Sequence, residues 1–329
     1  MFKRKGGRMK KMLFFGALML LFVSSCSLIG YNSITINIPS EYLSQIDKLV
    51  VSIAEGDNVE EQEIEEISEK ISFTHWGKID VIMAYAYNLQ GILLFTGKGG
   101  DGNLNITLDY AGANAASHVV IFQDGLPWNT TSMEDMLIAE GFTTGEGENQ
   151  YEFITSDSIP DFELNPYEDL LIIANDQSQT FYNVIGENND MVNAFVNAGG
   201  TILWEVCDNG WAYGDIKTAG IVLPAEVEIN LRYESHNKIM QPEHKMFDGI
   251  TATELYNNYA SHEYLTNLPA STNILMNGSD SNEPTLVVYP YGAGIVFMTG
   301  QPLEHAYVYQ PDSMGLILPR LVKLVLGKM

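Results

Sequence analysis

The chain predicts an all-β module followed by an α/β module, and three observations separate the two. From Ser33 to Asp109 apolar and polar residues alternate, the period of half-buried strands. From His118 onward short apolar runs alternate with helical patterns, the order that builds a parallel sheet with helices on both faces. Between them Ala111–Ser117 is small and polar, as a linker would be. The expected boundaries are 33–110 for a β-sandwich, 111–117 for the linker and 118–329 for the α/β module. Each section has its own periodicity, so 118–329 is expected to fold without the first module.

In the first module Ile34, Ile36 and Ile38 share one strand face, as do Leu49, Val51 and Ile53, and then Ile79, Val81, Met83, Tyr85 and Tyr87. Asn88-Leu89-Gln90-Gly91 reads as a turn, Ile92 to Thr96 as the returning strand, and Leu104, Ile106 and Leu108 as a last one. Short strands at this spacing, without a strong helical segment, predict a small antiparallel sandwich. Glu55 to Lys70 crowds Glu60, Glu61, Glu63, Glu65, Glu66 and Glu69 together. It lacks the Asp/Asn-Gly pattern of a calcium loop and is expected to be a solvated loop or exposed helix rather than a cation site.

In the second module His118 to Gln123 reads as a strand. Ser132-Met133-Glu134-Asp135 reads as the capped start of a helix reaching Glu140, stopped by Gly141. Glu152–Thr155 is a short strand, and Leu170–Ala174 is an apolar run suited to a strand buried on both faces. Asn188–Ala198 predicts a helix with Met191, Val192, Phe195 and Val196 inward, closed by Gly199-Gly200, and Thr201–Val206 is the next strand. In such a sheet a site is expected in the loops at the strands' carboxyl ends.

The first 25 residues differ from both modules. Lys3, Arg4, Lys5, Arg8, Lys10 and Lys11 precede an uncharged apolar stretch from Met12 to Val23, about a dozen residues and too short for the roughly 20 of a bilayer-spanning helix. Val23-Ser24-Ser25-Cys26 follows, small residues ending in cysteine. This resembles the signal peptide and lipobox of bacterial lipoproteins. The resemblance implies cleavage before Cys26, a lipid such as palmitate on that cysteine, a tether over 26–32, and anchorage to the bilayer. Ser27 favours the outer membrane where a cell has two. Met9-Lys10-Lys11 would also make a complete start.

Loss of the six basic residues of 1–25 takes the formal charge from −25 to −31. Such a body repels phosphate backbones and anionic headgroups, so nucleic acid is excluded as a partner and membrane contact is left to the lipid. Of two cysteines, Cys26 and Cys207, lipidation of the first leaves the second without a partner.

Two family resemblances sharpen the folds. The order of parts in the first module, with Phe73, Gly77 and Gly91, resembles the immunoglobulin-like modules that follow the anchor in many lipoproteins. Asn197-Ala198-Gly199-Gly200-Thr201-Ile202-Leu203, Cys207, Gly292-Ala293-Gly294-Ile295-Val296-Phe297 and Gly300-Gln301-Pro302-Leu303-Glu304-His305 resemble the flavodoxin-like, class I glutamine-amidotransferase-like fold over 118–329. Pro242–Gly249, Asn258–His262 and Asn267-Leu268-Pro269 look most like its non-amidotransferase, surface-protein branches.

That fold implies a catalytic cysteine after a strand, activated by a histidine and a glutamate, and Cys207, His305 and Glu304 hold the matching positions. The local residues argue against it. A nucleophile elbow needs small residues two places on either side, where this chain has Glu205 and Asn209, and the Glu304-His305 order departs from His-Pro-Glu. Glu205 and Asp208 are also expected to raise the thiol pKa. The leading expectation is therefore binding of a surface carbohydrate or peptide without catalysis, with His262, Tyr259, Trp211, Asp208 and Gln301 as ligand candidates. The alternative is a cysteine-dependent hydrolase or amidotransferase-like enzyme. Trp128, Trp204, Trp211, Tyr256, Tyr259 and Tyr264 offer an aromatic platform, Trp204 being a core candidate. His236, His244 and Glu243 lack tight ligand spacing, so no metal and no cofactor is expected.

Overall fold

The computed structural model describes residues 31–56, 58–100, 102–112 and 116–329, so the leader, Cys26 and linker residues 113–115 lie outside the described residues. In the first module β1 (Tyr31–Asn37), helix α1 (Ser40–Leu43), β2 (Lys48–Glu55), β3 (Asn58–Ile64), β4 (Lys70–Trp76), β5 (Val81–Tyr87), β6 (Leu93–Gly100), β7 (Asn105–Thr107) and β8 (Asp109–Tyr110) follow in order. They form two sheets, β4-β1-β7 and β3-β2-β5-β6-β8. Pairing is antiparallel except between β1 and β7. Ile34 and Ile36 of β1 meet Val51 and Ile53 of β2, Ile82 and Ala84 of β5 and Phe95 of β6 in one core. The alternation read from the sequence places these residues inward because successive strand side chains point to opposite faces.

The acidic run is a correction. Asn58–Ile64 is strand β3, paired in register with β2 from Leu49↔Ile64 to Glu55↔Asn58. Its partner, not its own composition, makes it a strand, and its charges suit an edge where unpaired backbone would otherwise recruit another chain.

The second module runs β9 (His118–Phe122), α2 (Ser132–Ala139), β10 (Thr143–Thr144), β11 (Gln150–Ile154), β12 (Asp169–Ile173), α3 (Gln179–Glu187), α4 (Asn189–Asn197) and β13 (Thr201–Glu205). It continues with β14 (Glu228–Ile239), β15 (Glu254–Thr266), β16 (Asn273–Gly278), β17 (Pro284–Tyr291), β18 (Gly294–Thr299), α5 (Leu303–Tyr309) and α6 (Ile317–Val325). One ten-stranded sheet results, ordered β10-β11-β9-β12-β13-β18-β17-β16-β14-β15. It is parallel from β10 to β18 and antiparallel beyond. Strands β9 and β12 are buried on both faces. Val119, Ile121, Leu170 and Ile172 meet α2, α5 and α6, while Val120, Phe122, Leu171 and Ile173 meet α3 and α4. Helix α2 begins at Ser132, whose hydroxyl does not cap it; Oγ donates to Glu304 O (3.2 Å) and ties α2 to α5.

The modules share a core. The second face of β5, with Val81, Met83 and Tyr85, joins the cluster that holds Ile295, Phe297 and α6. Tyr85 Oη donates to Gly294 O (3.2 Å). Two glycines permit this approach. A Cβ on Gly199 (φ +110°) would lie 2.4 Å from Val81, and one on Gly112 (φ +86°) would lie 1.9 Å from Phe297.

Candidate functional site at the carboxyl edge

The order β11-β9-β12-β13-β18 reverses direction between β9 and β12, and in open α/β sheets ligands bind outside the carboxyl ends at such a switch point. A cavity of about 330 Å³ opens there, lined by Asp124, Gly125, Leu126, Asn129, Asp176 and Trp211, among others. Asp176, in a left-handed conformation (φ +49°), organises its walls. Its carboxylate accepts from Trp128 N–H (2.9 Å) and Ala212 N–H (2.8 Å), holding two tryptophan-bearing loops together.

From this cavity a ladder of rings crosses the edge. Ring centroids lie 5.6 Å apart for Tyr259 and Tyr233, 4.9 Å for Tyr233 and His262, and 5.2 Å for His262 and Trp128. The ladder continues with 5.6 Å from Trp128 to Trp211, 5.8 Å from Trp128 to His305, and 4.6 Å from His305 to Tyr309. Most contacts are edge-to-face, the arrangement favoured by the ring quadrupoles. Trp128 and His262 are buried in the middle, whereas Tyr233, Tyr259, Trp211 and Tyr309 are 48–53 % exposed. Burial lowers the pKa of His262 to about 4 and lowers that of His305, so both imidazoles are neutral at pH 7.

Under the rings lies an acidic layer. Glu205, the last residue of β13, and Glu304, in the first turn of α5, are buried as neighbours. Asn175 Nδ2 donates to Glu304 Oε2 (2.8 Å). Burial raises both acids, and the charge of Glu304 raises Glu205 further. A second pair joins Asp208 to Glu263: burial and the bond to Asp208 push Glu263 up to about 9. Asp208 Oδ2 also accepts from Ile216 N–H (2.7 Å), fixing the loop after β13.

Cys207 is buried between these pairs. Burial first, then Glu263, Asp208, Glu304 and Asp176, push its thiol well above the usual range. Among the described residues no hydrogen bond joins Sγ to an imidazole, and the Glu304 carboxyl turns to Glu205 and Asn175 rather than to His305. The left-handed residue of the turn is Asn209 (φ +55°), two places beyond the thiol. Nucleophilic catalysis needs a thiolate, which burial and the surrounding carboxyls disfavour here.

Of the ligand candidates, Tyr259, Trp211 and His262 come together in the ladder, with Asp208 in the layer below. Gln301 does not join them: it is buried, and its Nε2 donates to Thr285 Oγ1 (2.9 Å). Trp204 is core, and Tyr256 packs beside His236 away from the ladder. His244 packs on Tyr110 of the first module, and no group of three metal-ligating side chains occurs among the described residues. Sequence reasoning missed Asp176, Glu263, Tyr233 and Tyr309. A signal existed for Asp176 alone, which lies two residues beyond the apolar run Leu170–Ala174.

No protein-family model matches the chain. An uncharacterized protein of Clostridium acetobutylicum is 27% identical over 230 residues, which cover 69% of this chain but only 22% of that protein. This chain thus spans about a fifth of its relative. Among solved structures, a cytoplasmic protein of Salmonella typhimurium LT2 is similar at TM-score 0.44 and 11% identity, over 63% of this chain and 99% of that one. A putative ThuA-like protein of Bacteroides uniformis is similar at TM-score 0.35 and 11% identity, over 66% and 94% of the two chains. At this level of likeness none of them assigns an activity.

Proposed function

We propose that the protein is a lipid-anchored binding protein, held on the outer face of a membrane through Cys26, whose α/β module binds a carbohydrate or peptide without catalysis. In this reading the module is an amidotransferase-like scaffold that lacks the family's thiol chemistry, and the first module is an immunoglobulin-like spacer. The observation that carries the reading is the exposed aromatic ladder on the carboxyl edge, with the thiol sealed in an acidic layer beneath it. Half-exposed tryptophan and tyrosine rings gathered at a switch point are the contact area that binding uses.

The test screens the full chain against saccharide and peptide arrays, after metabolic labelling with a fatty acid. Trp211→Ala is expected to weaken binding about tenfold, Cys207→Ser to spare it, and Cys26→Ala to lose the label. Binding undiminished in Trp211→Ala and lost in Cys207→Ser would overturn the reading in favour of the thiol. Label persisting in Cys26→Ala would remove the anchor.

A further inference from the structure

We infer that the ladder receives a linear, uncharged oligosaccharide lying across both of its exposed ends. This rests on the ligand-binding reading and narrows it. The rings fall into two exposed platforms, Tyr233 with Tyr259 at one end and Trp211 with Tyr309 at the other, separated by buried Trp128 and His262. A compact ligand covers one platform; only an extended one touches both. The ring-to-ring steps of 4.6–5.8 Å match the scale of single sugar rings, whose apolar faces stack on aromatic ones.

Charge selects among polymers. No lysine or arginine is a rung of the ladder, its two imidazoles are held neutral by burial, and the carboxyls below are acidic. With a formal net charge of −25 on the chain, an anionic polymer is repelled. The neutral His305 imidazole and the tyrosine hydroxyls each both donate and accept, which suits sugar hydroxyls. Peptide capture by strand addition is closed at the middle of the ladder, where the N–H groups of His262 (2.9 Å) and Glu263 (3.2 Å) already donate to Gly300 O.

The full chain, in a detergent without a sugar headgroup, is titrated calorimetrically with cello-, manno- and xylo-oligosaccharides of increasing length. For at least one series affinity is expected to rise about tenfold from disaccharide to hexasaccharide and to be unchanged by added salt. Tyr259→Ala and Trp211→Ala, at opposite ends, should each weaken the long ligand about tenfold and flatten the length dependence. Tyr213→Ala, an exposed ring outside the ladder, should do neither. Affinity independent of length, or lost in salt, overturns the inference. So does a proline-rich peptide that binds with the same dependence on Trp211 while every oligosaccharide fails, an outcome that leaves the ligand-binding reading standing. Failure of every saccharide and peptide ends both.

Discussion

The two modules solve the problem of a stable interior differently. Among described residues of the first, the fully buried polar side chains are Ser52 and Thr96, and Lys98, lowered to about 7 by burial, donates to Pro166 O (2.6 Å) at the contact with the second. The second buries Glu205, Asp208, Glu263, Glu304 and His262 at the carboxyl edge of its sheet, and His118 with Asp169 at the amino edge. Buried ionisable groups cost stability unless they are neutralised or paired. A module that keeps so many at one edge trades stability for a site there, while the first module has the composition of a packing body. The contrast also assigns each a different response to perturbation, although the shared core couples them.

That coupling is where the largest effect is expected. The small polar linker suggests separable bodies, but Val81, Met83, Tyr85 and Leu93 lie in the second module's core. Uncovering the face they fill forfeits roughly 6–12 kcal/mol at about 1.5–3 kcal/mol per large side chain. Whole domains are stable by only about 5–15 kcal/mol. The fragment 118–329 is therefore expected to be molten or insoluble, with no cooperative urea transition, while the full chain unfolds cooperatively. A cooperative transition of the fragment at the full chain's midpoint would show that the contact contributes nothing.

A smaller effect separates the modules by pH. Glu263 has an ordinary value of 4.5 when unfolded and about 9 when folded, so between these the folded state keeps a proton that the unfolded state has released. Stability must then fall as pH rises through that window. His118, raised chiefly by its hydrogen bond to Asp169 (2.9 Å), acts in the same direction. Its contribution is full below the ordinary 6.5 and is lost as pH rises through the folded value. Denaturant unfolding is expected to lose on the order of 3 kcal/mol between about pH 5 and about pH 8. Glu263→Gln should flatten part of that slope, the buried Glu205 and Glu304 acting in the same direction, and His118→Gln a smaller part. A slope undiminished in Glu263→Gln would place the proton uptake elsewhere.

How much of this was legible follows from where each signal lives. Strands buried on one face announce themselves by alternation, as β1, β2 and β5 do, and strands buried on both by apolar runs, as β9, β12 and β13 do. Helix α3 went unread because its apolar residues, Phe181, Tyr182 and Ile185, are few and its start is polar. The ribbon β14–β15 is invisible for a similar reason: its strands carry Glu, Asn, Arg, Ser and His throughout and are fixed by their partners. The site was legible only in part. Trp211, Tyr259, His262 and Asp208 were found as unusual residues in loops, but loops after β9, β12 and β13, the β14–β15 ribbon and α5 bring the rings and acids together. Pairings across such distances, Asp208 with Glu263 or Glu205 with Glu304, leave no local pattern. Gln301 was misplaced because a polar residue after a glycine reads as a surface turn, whereas here it bonds inward to Thr285.

The smallest effect concerns Cys207, where the expected result is nearly none. Alkylation by iodoacetamide requires both access and a thiolate, and this thiol is fully buried, with four carboxyl-bearing neighbours raising its pKa. In the folded Cys26→Ala chain the reaction should be slow at neutral pH, and its rate should follow opening of the structure rather than ionisation of a poised thiol. Mild urea should therefore accelerate it, and His305→Ala should leave it unchanged, because the imidazole packs against Trp128 and Tyr309 and makes no hydrogen bond to the sulfur among the described residues. A rate that titrates well below the free-thiol value of about 8.5, and that drops in His305→Ala, would mean that the acidic layer rearranges to activate the cysteine. The carboxyl edge would then be a reaction centre, and the contrast between the two modules would be one of catalysis instead of binding.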